Sequence, residues 1–322
     1  MKYIIGIDGG GTKTLGYISN IEGKIIGKAT SGVANYHSVG LKKVRESLLQ
    51  LINTLCDINN IKTDDIALLS LGLAGVDRKE DRQLILDLIS SLELDCKVAL
   101  NNDAKTALVG AHGKEEGIIT ISGTGSISYG IDSEGNTIRA GGWGHILDDE
   151  GSGYDIGLKG IKAVVRYYDN RGKKTILIDK VLKFLNMKSP DELISYVYGK
   201  NTTKSDIAKI APIVCECALE GDEISQIILD QAVNSLVEMT SAVIDKSNFK
   251  DERITVSYNG GILNNASYVQ KEFIKRLKYQ YKNIEVYKPK FDPAIGALII
   301  GFRQLNINYD INKIKKEVDS FG

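Results

Sequence analysis

The stretch Asp8-Gly9-Gly10-Gly11-Thr12-Lys13-Thr14 joins two runs of β-type residues, at 3–8 and 13–19. This pattern predicts a β-hairpin whose turn contains three successive glycines. Because the glycines have no Cβ atoms, their backbone N–H groups can approach an anion closely. Thr12 adds a hydroxyl donor and Lys13 adds a cation, so the turn is a candidate phosphate-binding site.

Asp8 stands at the end of the first strand, where its carboxylate would repel a bare phosphate. A Mg²⁺ ion held by Asp8 through water molecules accounts for this placement, since Mg²⁺ keeps part of its hydration shell in proteins. Two other nucleotide motifs do not fit. A P-loop requires lysine where Thr12 stands, and the dinucleotide motif requires glycine where Thr14 stands. Both motifs also open a helix, whereas a strand follows here.

The order of the predicted elements repeats along the chain. The first copy has strands at 3–8, 13–19, 24–29, 66–73 and 97–100, and helices at 40–57, 79–92 and 104–111. The second copy has strands at 117–121, 127–131, 137–140, 254–258 and 284–287, and helices at 153–169, 190–198, 205–220, 222–248, 265–281 and 293–304. This repeat predicts an α/β fold with two lobes, 1–114 and 115–291, that face each other across a cleft.

A second glycine turn, Ile121-Ser122-Gly123-Thr124-Gly125-Ser126, occupies the matching place in the second copy. Two such turns in register predict two backbone cradles for one polyphosphate, and the second cradle runs from Gly123 to Ser126. The pair Gly260-Gly261 follows the strand at 254–258. It could let a base or a ribose pack on the backbone, or it could be an ordinary turn.

Two further segments carry side chains suited to chemistry on a hydroxyl compound. Asp103 lies between a strand and a helix, where it could act as a general base or cap the helix. The segment 140–153 contains the only tryptophan, Trp143, between glycines, and three successive acids follow at 148–150. An indole face beside carboxylates suits a sugar, although the same segment could be a flexible loop that Trp143 anchors.

The composition argues against several classes of protein. The 322 residues carry 41 Lys+Arg and 41 Asp+Glu, and this balance argues against a nucleic-acid or acidic membrane surface. No apolar run approaches the ~18 residues of a transmembrane helix, and the N-terminus predicts a strand rather than a signal peptide. The 4 scattered cysteines predict reduced thiols in a cytoplasmic protein. The 3 histidines show no metal-ligand spacing.

Together these motifs resemble those of the sugar kinase/Hsp70/actin superfamily. More closely, the chain to about residue 305 resembles the N-acetylglucosamine kinase branch of the BadF-type ATPase family, which also contains N-acetylmuramic acid kinases. The resemblance implies duplicated ribonuclease H-like (actin-like ATPase) domains that form two lobes around a nucleotide and sugar cleft. It also implies that the helix at 292–305 packs back on the first lobe.

The resemblance further implies roles for individual residues. The segments that match family motifs are Asp8–Thr14 and Ser122–Ser126 (phosphate), Ser257–Gly261 (adenosine), Asn102–Ala104 (catalytic aspartate), Ser31–Asn35 (sugar loop) and Gly141–Ser152 (specific to the branch). Gly260 and Gly261 would bind the adenosine. The implied sugar contacts are Asn35, Asn102, Asp103, Gly142, Trp143 and Asp149.

The leading hypothesis is an ATP-dependent kinase that uses Mg²⁺. Its phosphate-binding residues are Gly9, Gly10, Gly11, Thr12, Lys13, Gly123, Thr124, Gly125 and Ser126. Asp103 would accept the proton of the 6-hydroxyl of N-acetylglucosamine or N-acetylmuramic acid. Such an enzyme would serve amino-sugar and cell-wall sugar salvage in the cytoplasm, with no nucleic-acid or membrane partner. Relatives are often homodimers.

Three alternatives stay open at this point. An ATPase activator of a radical dehydratase or reductase would carry interface cysteines for an iron–sulfur cluster, and none of the cysteines here lies in such a motif. A glucosamine kinase would share the nucleotide motifs. N-acetylmuramic acid adds a lactyl carboxylate at the 3-oxygen, for which Arg78 is a candidate cation. An actin- or Hsp70-like nucleotide switch leaves Asp103 and Trp143 without a role.

Overall fold

The computed structural model describes residues 2–249 and 253–321. The chain divides into two compact units. The first unit contains the described residues up to Gly117 together with those from Pro289 onward, and the second runs from Ile118 to Lys288. These boundaries lie a few residues from the predicted ones at 114 and 291. The first unit is therefore built from two separate parts of the chain.

The first unit is built around a five-stranded mixed sheet. Its strands are β1 (Tyr3–Gly9), β2 (Thr14–Asn20), β3 (Ile25–Ser31), β4 (Ile66–Leu73) and β5 (Lys97–Asn102). Their spatial order is β3-β2-β1-β4-β5. The helices of this unit are α1 (Tyr36–Ile58, interrupted at Gly40), α2 (Lys79–Ser90), α3 (Asp103–His112), α12 (Pro293–Gln304) and α13 (Ile311–Asp319).

The central strand β1 is covered by helices on both faces. Ile5 and Ile7 are fully buried in the core cluster that α1 forms with the sheet. Ile4 points the other way and lies against α12 near Gly301. This alternation follows from the two-residue period of a strand, and it explains why β1 is apolar at nearly every position.

The helices α3 and α12 contact each other through their backbones. A Cβ atom on Gly296 would lie 1.9 Å from the carbonyl oxygen of Thr106, and one on Gly110 would lie 2.4 Å from that of Asp292. Only glycine permits so close a crossing. The crossing holds Asp103, the first residue of α3, in the same unit as Asp292, the N-cap of α12.

The second unit repeats the sheet of the first. Its strands are β6 (Gly117–Ser122), β7 (Ser126–Ile131), β8 (Thr137–Gly141), β9 (Ile254–Asn259) and β10 (Ile284–Tyr287). Their order, β8-β7-β6-β9-β10, matches that of the first sheet strand for strand. The helices are α4 (Gly153–Tyr168), α5 (Leu177–Phe184), α6 (Glu192–Val197), α7 (Lys204–Ala208), α8 (Ala211–Leu219), α9 (Glu223–Lys246), α10 (Gly261–Asn265) and α11 (Ser267–Gln280). The predicted α/β class with a duplicated unit is confirmed.

Several predicted helices have different bounds in the structure. The helix predicted at 205–220 is two helices, and α8 begins with Pro212 in its first turn, where its missing N–H is not needed. The helix predicted from 190 begins at Glu192. Its N-cap is Asp191, which forms no side-chain cap, and the Glu192 carboxylate accepts from the N–H of Ser189 at 3.1 Å.

Helices α5, α10 and α13 are absent from the prediction. In α13, Ile311, Ile314 and Val318 recur at helical spacing, and Ile314 is buried. The Glu317 carboxylate of α13 accepts a hydrogen bond of 2.8 Å from the backbone N–H of Ile25. The helix thus satisfies a backbone donor of β3, the strand at the edge of the sheet.

Helix α9 is long and apolar enough to cross a membrane. More than half of its most apolar window is nevertheless buried inside the protein. Its residues Leu229, Val233, Leu236 and Val243 belong to the core of the second unit. The hydropathy of α9 is therefore accounted for by its place as a core helix.

Candidate active-site residues

The first glycine turn connects β1 to β2 as predicted. Gly9 pairs with Thr14, and the N–H of Gly10 donates to the carbonyl of Lys13 at 3.2 Å. In the described ranges, the N–H groups of Gly11, Thr12 and Lys13 have no acceptor within the protein. These three residues are exposed, and a Cβ atom on Gly11 would meet no atom within 4 Å. The packing of the fold therefore does not require glycine at position 11. The three open N–H groups of the turn can bind an anion.

The predicted sugar loop is hydrogen-bonded to this turn. The N–H of Ala34 donates to the carbonyl of Gly10 at 3.3 Å, and the Thr14 hydroxyl donates to the carbonyl of Gly32 at 2.6 Å. The Asn35 side chain accepts from the N–H of His37 at 3.1 Å and caps α1. Asn35 therefore has a structural role here, and its amide nitrogen stays available for a ligand.

Asp103 is the first residue of α3, and it does not cap that helix. The cap is Asn102, whose side-chain oxygen accepts from the N–H of Lys105 at 2.7 Å. The Asn102 amide also donates to Asp77 at 2.6 Å, so both ends of this predicted sugar-binding side chain are engaged. One oxygen of Asp103 accepts from the N–H of Ala104 at 2.9 Å. Among the described residues, no other residue donates to its second oxygen, which can therefore accept from a substrate hydroxyl.

The carboxylate of Asp8 lies in a strongly negative environment. Desolvation by the surrounding protein, with added repulsion from Asp103 and Asp292, raises the pKa of Asp8 to about 7, although Lys13 opposes the shift. The pKa of Asp103 is raised as well, chiefly by desolvation and further by Asp77, although its side chain reaches solvent. Such an accumulation of carboxylates fits a divalent cation, which would lower the cost of ionising them.

The raised pKa of Asp8 gives a testable pH dependence in metal-free protein. The folded chain holds the Asp8 proton up to about pH 7, whereas an ordinary aspartate ionises near 3.8. Between these values the folded state binds more protons, so the contribution of Asp8 to the free energy of unfolding falls as the pH rises. Urea unfolding of wild type and Asp8→Asn from pH 4 to 8 measures this contribution. The stability difference should move in favour of the variant as the pH rises, and a constant difference would contradict the shift.

Asp292 and Tyr17 are site residues that the sequence did not reveal. The buried Tyr17 hydroxyl donates to one oxygen of Asp292 at 2.9 Å, and the other oxygen accepts from the N–H of Ile295 at 3.1 Å. Burial and the negative charge of Asp292 raise the pKa of Tyr17, which keeps it a donor. The Asp292-Pro293 pair signalled only a helix start, and nothing in the sequence linked it to Tyr17.

The second glycine turn is held by the start of α4. The N–H groups of Gly153 and Tyr154 donate to the carbonyls of Gly123 and Thr124 at 2.8 and 3.3 Å. Across the described chain, the N–H groups of Thr124 and Gly125 have no protein acceptor. This turn therefore repeats the open donors of the first one.

The predicted adenosine motif contacts the second turn directly. Gly260 follows β9 and has a φ of +95°, and a Cβ atom there would lie 2.3 Å from the carbonyl oxygen of Ser122. Any other residue would strain the backbone and displace the turn. Gly261 begins α10 and has open space around its Cα, so a flat group could approach it.

Asp149 ties the Trp143 segment to the second turn. It is 3% exposed and has a φ of +64°, a left-handed conformation that few residues other than glycine adopt. One carboxylate oxygen accepts from the N–H of Ser126 at 3.0 Å. The other is buried and has no hydrogen-bond partner in the part of the chain that the structure describes. The resemblance implied a sugar contact for Asp149, and its observed contact is with the turn.

Trp143 projects from a loop whose glycines Gly141, Gly142 and Gly144 all have positive φ. Its indole is 65% exposed. Its backbone N–H donates to the Asp148 carboxylate at 3.2 Å, and the Arg139 guanidinium lies 4.7 Å from the ring centroid. The sequence did not reveal Arg139, because a separation of four residues predicts a contact in a helix but not in the strand and loop that hold these two residues.

Each unit thus gathers part of the predicted site. The first unit holds the first turn, the Asn35 loop and the carboxylates of Asp8, Asp103 and Asp292. The second holds the second turn, Gly260 and the segment with Trp143 and Asp149. Open N–H donors, a free carboxylate oxygen and an exposed indole are the parts from which phosphoryl transfer to a sugar can be built.

The chain is similar to known proteins along most of its length. Residues 5–301 match the model of the BadF/BadG/BcrA/BcrD ATPase family. The N-acetylmuramic acid/N-acetylglucosamine kinase of Clostridium acetobutylicum is 41% identical over 300 residues, which are 93% of this chain and 98% of the relative. The N-acetyl-D-glucosamine kinase of Dictyostelium discoideum is 36% identical over 311 residues, 93% of this chain and 97% of the relative. A solved structure of a candidate N-acetylglucosamine kinase from Chromobacterium violaceum is 26% identical and has a TM-score of 0.78 over 93% of this chain and 99% of that one.

Proposed function

The chain belongs to the BadF/BadG/BcrA/BcrD ATPase family, and we propose that it is an ATP-dependent kinase that phosphorylates the 6-hydroxyl of an N-acetylated amino sugar. The observation that carries this proposal is the open-donor glycine turn in each unit, together with Asp103 at the start of α3. The identity to amino-sugar kinases over 93% of the chain supports the same function.

We propose that the phosphates of ATP bind the two glycine turns. The unpaired N–H groups of Gly11, Thr12 and Lys13 would contact one part of the polyphosphate, and those of Thr124 and Gly125 another. Backbone donors need no net positive charge, which agrees with a chain of net charge +0. Gly260 and Gly261 would pack against the adenosine, since Gly261 is open on its Cα side.

The residues around Asp8 fit a Mg²⁺ ion. Within residues 2–249 and 253–321, no three His, Cys, Asp or Glu side chains are arranged to hold a metal alone. Asp8 would therefore hold Mg²⁺ through water, in the manner usual for an ion that also binds phosphate oxygens. When bound, Mg²⁺ supplies neutralisation of phosphate charge. The carboxylate of Asp292, held by the Tyr17 hydroxyl, would make the electrostatic potential at Asp8 more negative and so favour the cation there.

Asp103 would act as the general base for the sugar hydroxyl. Its oxygen that does not bond Ala104 would accept the proton as the hydroxyl oxygen attacks the γ-phosphorus of ATP and ADP leaves with the bridging oxygen. Desolvation raises the pKa of Asp103, which makes it a stronger base than an ordinary aspartate. Asn35, Gly142, Trp143 and Asp149 would bind and orient the sugar. The enzyme would act in the cytoplasm, as a homodimer, in amino-sugar and cell-wall sugar salvage.

Release of ADP with a panel of amino sugars tests the function. The purified protein with Mg-ATP should release ADP rapidly with N-acetylglucosamine or N-acetylmuramic acid, and slowly without sugar. Faster release with unacetylated glucosamine would favour the glucosamine kinase alternative. Steady ATP hydrolysis that no sugar stimulates, in a protein that purifies with an iron–sulfur chromophore, would replace the kinase by an activator ATPase.

A further inference from the structure

Arg139 is a cation that contacts the loop of Trp143. It lies on β8 opposite Tyr129, and its guanidinium carbon is 4.7 Å from the centroid of the Trp143 ring. In the chain as described, this guanidinium forms neither an ion pair nor a hydrogen bond. A guanidinium carries five N–H donors, and contact with a ring face leaves them unused.

The ring holds Arg139 beside the proposed sugar site. Arginine is attracted to the face of an indole, so the guanidinium stays near Trp143 instead of sampling solvent freely. The indole itself is 65% exposed, which leaves much of its surface for a ligand. A ligand bound against Trp143 therefore meets a positioned donor.

The charge of the surrounding segment makes this cation significant. Asp148 accepts from the backbone of Trp143, and Asp149 and Glu150 follow it in the chain. A neutral sugar can bind beside these carboxylates, but a sugar that carries its own carboxylate would be repelled. Arg139 is the group that contacts Trp143 and carries the opposite sign.

We propose that Arg139 binds the lactyl carboxylate of N-acetylmuramic acid and so extends the substrate range of the kinase to that sugar. This inference rests on the proposed function. N-acetylmuramic acid differs from N-acetylglucosamine by the lactyl ether at the 3-oxygen, which adds one carboxylate. The planar fork of a guanidinium matches a carboxylate in two parallel hydrogen bonds, and no other side chain does so as well.

The test is the ratio of kcat/KM for N-acetylmuramic acid to that for N-acetylglucosamine. In Arg139→Gln this ratio should fall about 10- to 100-fold, because a charge-assisted pair with the substrate is lost. The fall should lie in the KM for N-acetylmuramic acid, since the carboxylate is remote from the reacting hydroxyl. The Arg139→Lys variant keeps the positive charge but lacks the planar guanidinium, so its ratio should lie between those of Arg139→Gln and the wild type.

Salt dependence distinguishes a charge contact from a packing effect. In the wild type, added salt should raise the KM for N-acetylmuramic acid more than that for N-acetylglucosamine, and Arg139→Gln should abolish the difference. An equal loss on both sugars, with no change in salt dependence, would show that Arg139 only supports the loop and would overturn the inference.

Arg78 provides the comparison, because it is an exposed arginine of the first unit and the sequence made it a candidate cation for the lactyl carboxylate. Arg78→Ala should leave the ratio unchanged. A fall in Arg78→Ala with none in Arg139→Gln would overturn the inference in favour of Arg78. If the wild type phosphorylates N-acetylglucosamine but not N-acetylmuramic acid, the inference about Arg139 is wrong and the proposed function stands. If the wild type phosphorylates no amino sugar, both the proposed function and the inference about Arg139 are wrong.

Discussion

The Asp103→Asn variant is expected to bind the amino sugar with near-normal affinity and to turn it over at least ~100-fold more slowly than the wild type. The amide keeps the oxygen that accepts from the N–H of Ala104, so α3 and its cap are preserved. It cannot accept the proton of the sugar hydroxyl. The loss should therefore appear in kcat, with little change in sugar affinity.

Two measurements separate these effects. Calorimetric titration gives sugar binding, and a coupled assay of ADP release gives turnover. Asp57→Asn, an exposed acid late in α1, is the control and should behave as wild type. Turnover of Asp103→Asn within threefold of the wild type would remove Asp103 from the role of general base. Loss of sugar binding would instead identify it as a binding residue.

The Gly296→Ala variant is expected to lose about 3 kcal/mol of stability, near the upper end of the cost of overpacking. Its Cβ atom would lie 1.9 Å from the carbonyl oxygen of Thr106 and 2.5 Å from the N atom of Gly110. Both atoms belong to the backbone of α3 and cannot rotate away. The helix propensity that alanine gains over glycine, about 1 kcal/mol, offsets only part of this cost.

Thermal unfolding measures the difference. A loss of this size should lower the Tm of the first unit by roughly 6–12 °C. Gly301→Ala is the matched control in the same helix, because its Cβ would lie 3.0 Å from methyl groups of Ile4 and Leu68 and 3.5 Å from the Cβ of Ser70. Those side chains can move by a few tenths of an ångström, so the control should lose less than half as much. Equal stability of the two variants would contradict a backbone contact at Gly296.

Local patterns were sufficient to predict the strands and the two glycine turns. The runs at residues 3–8 and 117–121 alternate or are continuously apolar, and glycines mark each turn, so neighbouring residues decide the structure. The helix break before Pro212 could have been predicted in the same way, since proline cannot lie inside a helix without loss. The helical spacing of the apolar residues in α13 was equally visible in the sequence.

Contacts between distant residues could not be predicted from the sequence. The hydrogen bond between Tyr17 and Asp292 joins residues 275 positions apart. Neither the left-handed conformation of Asp149 nor its contact with Ser126 has a local signal in the sequence. Asn102 rather than Asp103 caps α3, and a sequence with both residues at a strand end does not decide between them.

The discontinuity of the first unit also fixes an order of events during synthesis. Helix α12 begins ~180 residues after α3 ends, and the second unit lies wholly between them. At a translation rate of about 5–20 residues per second, the ribosome needs roughly 10–35 s to make that intervening segment. For that time one face of β1 and the glycine face of α3 have no partner. The second unit can therefore fold first, and one face of the nascent N-terminal sheet stays uncovered until α12 emerges.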